Sequence, residues 1–386
     1  MGPLHGVRVV EIAGLGAAPY GAMMLADMGA DVVRIDRPDG DQHTPDTSPL
    51  LRNRRSIALD LKQPEGVASA LALIDKAEVL IEAFRPGVAE RLGIGPEICL
   101  ERNARLVYAR MTGWGQQGPL SQRAGHDLNY IGISGLLNQI GPTGGKPAVP
   151  LNVIGDFGGG GLLLAYGVTC ALLEARVSGL GQVVDAAMLD GAASFLGMFF
   201  GYRADGKFID GVGRNFLGGG AHYYDTYQTQ DGKFLSVAPI EPQFYAAFLE
   251  RLGVDTERFM SAGYPSHTAR NIEHDWPELK AELAAIFVTR PRDEWCRVFE
   301  GADVCVTPVL SLQEALQHPH NVARETFVEV DGVAQNAPAP RFSRTPAGLP
   351  RGPRPAGADV DAIVTDWDLD RTLFERASRA NHQGTQ

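Results

Sequence analysis

Four ionisable side chains stand where a helix or a turn is predicted to begin, and their types suit proton transfer. His126 directly precedes Asp127, Asp156 opens a glycine-rich apolar run, and Glu241 lies before a proline. A histidine and a carboxylate can exchange protons near neutral pH if both reach one substrate. A carboxylate ahead of a helix can also simply cap the free N–H groups of its first turn. Spacing alone does not bring these residues together.

A set of six arginines follows the first predicted strands: Arg37, Arg52, Arg54, Arg55, Arg85 and Arg91. Arginine suits phosphate because its planar guanidinium group donates several hydrogen bonds in a fixed fork. Ligands of open parallel sheets bind at the carboxyl ends of the strands, where we expect this set to lie. The arginines could hold a nucleotide with several phosphates, or they could form ion pairs on a solvated surface.

A glycine-containing turn at residues 14–19 follows the first predicted strand, and Asp36 lies about 20 residues beyond it. This arrangement partly matches a dinucleotide-binding fingerprint. Pro19 stands where a third small residue should let the helix approach the strand. We therefore favour a tight strand-to-helix turn over a dinucleotide site.

The composition is that of an ordinary folded protein, with 44% hydrophobic and 21% charged residues in a chain of 386. This length favours two domains. The net charge of -11 disfavours nucleic acid as a partner, so an anionic ligand would need a local basic patch. The four cysteines lack the close spacing of a zinc or redox site.

No membrane-binding segment is expected. The longest apolar stretch, residues 161–173, is shorter than the about 20 residues that cross a bilayer. The N-terminal residues do not match a signal peptide. We therefore expect a cytoplasmic protein.

The order of apolar runs predicts an α/β fold with a doubly wound parallel sheet. Strands are predicted at residues 7–12, 31–36, 56–61, 79–84 and 106–111, and helices at 19–28, 64–76, 127–140, 156–174 and 187–203. Residues 1–205 would form the first part of a large domain.

A smaller α+β module is predicted for residues 206–330. Two extended segments between residues 222 and 239 flank Asp231 and Gly232, a pair that favours a hairpin turn. Helices are predicted at 242–252, 277–289 and 291–299, each with a proline near its start. Residues 331–386 would return to the large domain, and 337–356, rich in Pro and Arg, would run extended over a surface.

Long stretches of the chain closely resemble the α-methylacyl-CoA racemases of the family III CoA-transferase superfamily. They are residues 34–38, 53–62, 85–93, 108–118, 125–130, 150–160, 181–188, 223–227, 240–245 and 339–345. The resemblance implies a racemase that inverts 2-methylacyl-CoA thioesters through an enolate. It implies no metal and no cofactor, since coenzyme A enters as part of the substrate, and it implies an interlocked, ring-like homodimer.

The resemblance also implies roles for single residues. His126 and Asp156 would be the two acid/base groups on opposite faces of the α-carbon, and Glu241 would bond to His126 from the partner subunit. Coenzyme A would contact Arg37, Leu59, Leu61, Arg85, Arg91 and Tyr130, and the acyl part would contact Asn152, Tyr224 and Ile240. For the enolate oxygen we look to the backbone N–H of Asp127, because it lies near a predicted helix start.

Two rival functions remain. A family III CoA-transferase would use Asp156 as a nucleophile; His126 argues against it, since such transferases typically lack that histidine, whereas glycines 218–220 resemble their longer glycine loop. A non-catalytic CoA-binding homologue would keep the arginines without turnover. Residues 195–200 are rich in phenylalanine where some racemases carry methionine, so the preferred acyl group is expected to differ.

Overall fold

The chain folds into two compact units that alternate along the sequence. The structure is a computed structural model that describes residues 2–40, 45, 47–261 and 274–383. The first unit comprises residues 1–134, 151–194 and 319–386, and the second comprises 135–150 and 195–318. The sequence placed these borders at 205/206 and 330/331 and did not anticipate that residues 135–150 join the second unit.

A six-stranded parallel sheet forms the centre of the first unit. Its strands are β1 (Arg8–Ile12), β2 (Asp31–Asp36), β3 (Arg55–Ala58), β4 (Val79–Glu82), β5 (Val107–Thr112) and β6 (Val183–Ala187). Their order is β3-β2-β1-β4-β5-β6, and every neighbouring pair is parallel. The predicted α/β sheet is therefore confirmed. The sequence missed β6, because Asp185 interrupts the apolar pattern of this short edge strand.

Helices cover both faces of the sheet. They are α1 (Ala17–Asp27), α2 (Pro64–Ile74), α3 (Val88–Arg91), α4 (Pro96–Arg102), α5 (Asp127–Ile133), α6 (Leu163–Ser178) and α7 (Met188–Ser194), with a 3₁₀ turn at Pro49–Leu51. Val9 of β1 packs with α1 and α6, whereas its neighbour Val10 packs with α2. Successive strand residues point to opposite faces, so one sheet serves two hydrophobic cores.

A π-helical stretch, Val153–Leu162, leads without a break into α6. Its glycines allow backbones to approach closely: a Cβ at Gly161 would meet the Ala17 carbonyl oxygen at 2.4 Å, and one at Gly159 would meet the Ala192 nitrogen at 2.7 Å. The stretch therefore packs directly on α1 and α7. The sequence predicted a helix over 156–174 but not its π geometry, which is often found at functional sites.

Within the part of the chain that the structure describes, the combined helix Val153–Ser178 is the one element long and apolar enough to cross a membrane. The sequence had suggested a shorter apolar run. Core helices of globular proteins meet the same criterion, and this one buries Leu164 and Val168 among the residues of α1 and the sheet. Its other face exposes Leu173 and Val177 by 67% and 87%.

The second unit combines helices with a three-stranded antiparallel sheet. Its elements are α8 (Gly197–Ala204), β7 (Asp225–Gln228), β8 (Phe234–Val237), α9 (Pro242–Leu252), α10 (Thr256–Ser261), α11 (Trp276–Phe287), α12 (Arg292–Phe299), β9 (Val306–Val309) and α13 (Leu312–Gln317), with 3₁₀ turns at Leu137–Gln139 and Phe216–Gly218. The sheet order is β7-β8-β9. The predicted hairpin is confirmed, with Gly232 at φ +74°. The sequence missed β9 because Pro308 lies inside it.

The C-terminal segment rejoins the first unit. It contains α14 (Pro319–Ala323), β10 (Phe327–Val330), β11 (Val333–Asn336), α15 (Val360–Asp366) and α16 (Arg371–Gln383). The antiparallel β10-β11 hairpin was not predicted, whereas residues 337–356 contain no helix or strand, as expected. Trp367 and Phe374 pack beside Leu73, so the chain end completes one of the two cores.

Candidate active site

His126 is presented at the start of α5. Its backbone N–H donates to Asn129 Oδ1 at 3.0 Å, and the Asn129 N–H donates to the His126 carbonyl oxygen at 2.8 Å. One turn later, the buried Tyr130 donates its hydroxyl to the carbonyl oxygen of Gly125. The backbone around His126 is therefore fixed, while the residue itself is exposed to solvent.

Asp127 connects α5 to the π-helical stretch. Its buried Oδ2 accepts hydrogen bonds from the backbone N–H of Gly155 at 2.5 Å and of Asp156 at 2.8 Å. The Asp127 side chain therefore connects the backbone next to His126 with the backbone N–H of Asp156. The sequence did not reveal this role of the Asp127 side chain, because its partners lie 28 and 29 residues further along the chain.

Asp156 is half-buried, and its Oδ2 accepts a hydrogen bond from Asn152 Nδ2 at 3.0 Å. Burial raises the pKa of its carboxyl group and the negative charge of Asp127 adds to the rise, whereas Asn152 and His126 oppose it. A carboxyl group in this environment can hold a proton closer to neutral pH than an exposed one. The simple capping interpretation is wrong, because Asp156 is the fourth residue of Val153–Leu162 and Asn152 occupies the N-cap position.

Gly16 lies against Asp156. A Cβ on Gly16 would be 3.1 Å from Asp156 Oδ2, and Gly16 has a φ of +64° that side chains disfavour. Residues 14–19 are thus the predicted strand-to-helix turn, and they also form one wall of the candidate site. The sequence drew attention to these glycines for a dinucleotide site and missed their contact with Asp156.

Three of the six arginines do not belong to a phosphate site. Arg52 pairs with Asp27 at 2.5 Å, Arg54 pairs with Glu11 at 2.5 Å, and Arg55 pairs with Asp31 and Asp366 at 2.5 and 2.8 Å. They precede or begin β3, so the expectation that they lie at the carboxyl ends of the strands is wrong. Their charges join segments of the first unit to one another.

The other three arginines lie at the carboxyl edge of the sheet. Arg37 follows β2, Arg85 follows β4 and Arg91 ends α3; all three are exposed, and none forms an ion pair with another described residue. β2 and β4 flank β1 on either side, so Arg37 and Arg85 border the turn that carries Gly16. These arginines are the groups best placed to receive an anionic ligand.

A charge network anchors α3. Arg110 of β5 donates to Glu82 Oε1 at 2.8 Å and to Glu90 Oε1 at 2.9 Å, and Glu90 directly precedes Arg91. Desolvation raises the pKa of the Glu82 carboxyl group against the attraction of Arg110. The network fixes the backbone that presents Arg91.

The other predicted CoA contacts lie in the same unit. Leu59 is buried just beyond β3, its N–H donates to the Asp36 carbonyl oxygen at 3.0 Å, and Leu61 is half-buried. Burial raises the pKa of Tyr130 to about 12, the charge of Asp156 adds to the rise, and Arg85 opposes it. Because its hydroxyl bonds to Gly125, Tyr130 has a structural role beside any contact with coenzyme A.

The remaining predicted site residues lie in the second unit. Glu241 is the exposed N-cap residue of α9, and within the described residues its side chain accepts no capping hydrogen bond, so the capping explanation is wrong for it too. Ile240 before it is 37% exposed. Tyr224 is half-buried and makes an edge contact with Phe216, with ring centroids 6.5 Å apart.

A row of aromatic rings extends from Tyr224 along the second unit. Tyr224, Phe216, Tyr202 and Phe199 follow one another at centroid distances of 6.5, 6.0 and 6.4 Å. Phe199 belongs to the phenylalanine-rich helix noted in the sequence, in which Phe200 is 58% exposed. The row thus begins at the predicted acyl contact Tyr224.

Over residues 2–40, 45, 47–261 and 274–383, no group of three or more His, Cys, Asp or Glu side chains is arranged to bind a metal ion. The candidate site of the first unit thus consists of a histidine, two carboxyl groups and a glycine turn beside three unpaired arginines. Side chains of these types can carry out proton transfer or carboxylate attack on an anionic substrate.

Comparison with known proteins shows the family of this chain. Residues 4–360 match the family described as CoA-transferase family III. The chain belongs to this family. It is 45% identical to α-methylacyl-CoA racemase of Mus musculus over 89% of this chain and 87% of the relative, and 44% identical to that of Homo sapiens with the same coverage.

The fold of the family is seen in a crystal structure of a CAIB/BAIF family protein from Brucella suis. It superposes with a TM-score of 0.80 at 25% identity, covering 95% of this chain and all of that one. The α/β architecture of this chain is therefore the family architecture. The three unpaired arginines and the turn around Gly16 lie at the ligand-binding edge that such a sheet offers.

Proposed function

We propose that this protein interconverts (2R)- and (2S)-2-methylacyl-CoA thioesters by moving the proton at the α-carbon. The observation that carries the proposal is the connection of His126 to Asp156 through Asp127. Two proteins named α-methylacyl-CoA racemase, 44–45% identical to this chain, support the choice of substrate. A histidine and a carboxyl group with a raised pKa can hold opposite protonation states near neutral pH.

In the proposed reaction each group serves one face of the α-carbon. When Asp156 removes the α-proton, the electron pair of the C–H bond forms the enolate, and protonated His126 delivers a proton to the opposite face. For the other epimer the roles reverse. The atoms and electrons balance without a metal or redox cofactor, and coenzyme A enters only as part of the substrate.

The enolate requires stabilisation because the α-proton of a thioester is weakly acidic. Each pKa unit between the α-carbon and its base costs about 1.4 kcal/mol, and a turnover of about 10 per second allows a barrier of about 16 kcal/mol. We assign the backbone N–H of Asp127 to the enolate oxygen. It is the first residue of α5, where N–H groups have no partner within the helix.

Coenzyme A is proposed to lie along the carboxyl edge of the sheet. Its phosphates would meet the unpaired arginines, its nucleotide would meet apolar side chains beyond β3, and its thioester would lie beside Asp156. The proposed contacts are Arg37, Leu59, Leu61, Arg85, Arg91 and Tyr130 for coenzyme A, and Asn152, Tyr224 and Ile240 for the acyl part.

The active form is proposed to be a homodimer in which Glu241 of the partner subunit bonds to His126. The exposed face of α6, which carries Leu173 and Val177, offers a surface that a second copy would cover. We further expect the protein to act in the cytoplasm, without nucleic acid or a membrane as partner. The net charge of -11 supports the exclusion of nucleic acid.

A second candidate is transfer of coenzyme A between carboxylic acids, with Asp156 as the nucleophile. The family description and the partial exposure of Asp156 favour keeping it. In that reaction Asp156 would form a covalent acyl anhydride, which hydroxylamine traps. Racemisation through proton transfer forms no such bond.

The deciding experiment incubates one epimer of 2-methylacyl-CoA with the protein in deuterated water and follows optical rotation and α-deuterium together. We expect loss of rotation with deuterium entry, and a fall of about 100-fold to 10,000-fold in racemisation for His126→Ala and Asp156→Ala. Each variant should still exchange the proton of one epimer only, with opposite preference. His5→Ala, which removes an exposed histidine, is the control.

Two results would overturn the proposal. One is Asp156→Ala with nearly full racemisation. The other is a hydroxylamine-trapped acyl group on Asp156 during turnover of the wild type, which would put the transferase reaction in its place.

A further inference from the structure

The Asp127 side chain is buried without a basic partner. It is 4% exposed, forms no ion pair with any described residue, and its Oδ1 has no hydrogen-bond partner there. Burying a carboxylate costs several kcal/mol unless nearby groups compensate it. The compensation at Asp127 comes from two backbone N–H groups, of Gly155 and Asp156, which the first turn of a helix leaves unpaired.

The site is shaped to receive this carboxylate. A Cβ on Gly155 would lie 2.8 Å from Asp127 Oδ2 and 3.2 Å from its Cα, so only glycine lets the two segments meet. This contact lies in the first turn of the π-helical stretch Val153–Leu162. Both the sequence and the backbone at this point are therefore fitted to the Asp127 side chain.

We infer that the Asp127 carboxylate is a positioning residue for proton transfer: it holds the first turn of Val153–Leu162 and sets a fixed negative charge beside the Asp156 carboxyl group. The inference rests on the proposed function, in which Asp156 is one of the two proton-transfer groups. It adds a side-chain role to the backbone role already assigned to Asp127. The substrate of the site that Asp127 supports is the 2-methylacyl-CoA of the proposed reaction.

Few charges other than that of Asp127 affect the pKa of the Asp156 carboxyl group. Asp127 raises the pKa of Asp156 and His126 lowers it, while burial has the largest effect. The charges that act on the Asp156 carboxyl group are those of Asp127 and His126. The other titratable groups on the described elements packed against the π-helical stretch are Tyr20 and Asp27 of α1, Tyr108 and Arg110 of β5, Tyr130 of α5, Tyr166, Cys170, Glu174 and Arg176 of α6, Asp185 of β6 and Asp190 of α7. The pKa of Tyr130 is raised to about 12, so it stays neutral in the working range of the enzyme.

Two substitutions separate position from charge. In Asp127→Asn the amide oxygen can still accept both N–H groups but the charge is gone. We expect kcat within a few-fold of wild type and a limb of the pH–rate profile that moves to lower pH, because the pKa of Asp156 falls when the neighbouring charge is removed. In Asp127→Ala the support is lost as well, and kcat should fall about 10-fold to 100-fold, the cost of about 1 Å of misplacement.

The matched control is Asp185→Asn. Asp185 also accepts a backbone N–H, from Gln116 at 3.0 Å, but makes no bond to Asp156. It should leave both kcat and the pH profile unchanged. Circular dichroism and thermal unfolding show whether each variant folds, and the conservative Asp127→Asn keeps the test valid if Asp127→Ala does not fold. An unmoved limb in Asp127→Asn, or undiminished kcat in folded Asp127→Ala, would overturn the inference.

A measurement without turnover separates this inference from the proposed function. Water-soluble carbodiimide modifies protonated carboxyl groups, so the pH midpoint of Asp156 labelling, followed by peptide mass spectrometry, reports its protonation in the absence of substrate. We expect this midpoint to be lower in Asp127→Asn than in the wild type or in Asp185→Asn. If the wild type racemises nothing but the midpoint still moves, the proposed function fails and the charge effect stands; an unmoved midpoint refutes the inference itself.

Discussion

Gly16 and Asp156 meet so closely that a single added carbon would intrude on the carboxyl group, 3.1 Å from Oδ2. Gly16→Ala should therefore push Asp156 from its position and lower kcat about 10-fold to 100-fold. The same substitution also strains the backbone at φ +64°, which costs about 1–2 kcal/mol of stability. Steady-state kinetics and urea unfolding measure the two effects separately.

The control for strain is Gly6→Ala. Gly6 has a φ of +88°, and a Cβ there would meet nothing within 4 Å. It should lose a similar amount of stability with kcat unchanged. Equal loss of kcat in both variants would show that strain alone, and not the contact with Asp156, explains the effect at Gly16.

Arg91 is expected to hold substrate without taking part in the chemical step. Arg91→Ala should raise KM about 10-fold or more, the value of a lost charge-assisted hydrogen bond of about 1.5–3 kcal/mol, with little change in kcat. The effect should shrink as salt is added, because the arginine is exposed. Initial-rate measurements at several salt concentrations test both statements.

Arg105→Ala is the matched control for Arg91. Arg105 is also exposed, but it precedes β5 and thus lies at the opposite, amino edge of the sheet. Its removal should not change KM. A loss in Arg91→Ala that appeared only in kcat would contradict a binding role.

The sequence predicted those features that local patterns determine. Apolar runs gave five of the six parallel strands, and the edge to which Arg37, Arg85 and Arg91 belong follows from strand direction alone. Arg52 and Arg54 were misjudged because their partners, Asp27 and Glu11, lie 25 and 43 residues away. A sequence shows that a charge exists but not which distant charge neutralises it.

The candidate site likewise has features that the sequence predicted and features that it did not. The types of His126 and Asp156 suggested proton transfer, but their connection runs through the Asp127 side chain to backbone groups in another segment, and no local pattern encodes such a bond. The π-helical start of Val153–Leu162 was missed for a related reason. It depends on tertiary packing of glycines against α1 and α7, which overrides the ordinary helical period.

His222 should make the stability of the second unit sensitive to acid. Burial lowers its pKa to about 3 from 6.5, with Lys280 adding to the effect, and its Nε2 bonds to Tyr245 Oη at 2.5 Å. The unfolded chain therefore binds a proton between about pH 6.5 and pH 3 that the folded chain does not. The contribution of neutral His222 to the free energy of unfolding is complete above pH 6.5. It is lost as the pH falls below that value, by up to about 1.4 kcal/mol per pH unit.

The test compares urea unfolding at pH 7 and pH 5 for the wild type and His222→Gln. The variant should lose less stability between the two pH values than the wild type does, whatever its stability at pH 7. His5→Gln, at an exposed histidine, should keep the wild-type difference. An unchanged pH dependence in His222→Gln would show that His222 is not the group that titrates.

Glu241 is expected to act on His126 across a dimer, and mixing two inactive variants can test this directly. In a heterodimer of His126→Ala and Glu241→Ala chains, a site that takes its histidine from one chain and its glutamate from the other is intact in one of its two copies. When equal amounts of the two chains pair at random into dimers, about half of the dimers are mixed, and each mixed dimer has one intact site of its two. About one quarter of wild-type activity should therefore return. The proteins must be unfolded and refolded together, or co-expressed, to allow exchange.

The recovery depends only on which chain supplies Glu241. If both residues of a site came from one chain, every site in the mixed dimer would lack one of them and no activity would return. The control mixes His126→Ala with Asp156→Ala, since both residues belong to the first unit and are joined there through Asp127. That mixture should remain inactive, because neither chain carries an intact pair. Recovery in the control as well as in the test mixture would show exchange of whole segments between chains, and the assignment of Glu241 to the partner subunit would then lose its support.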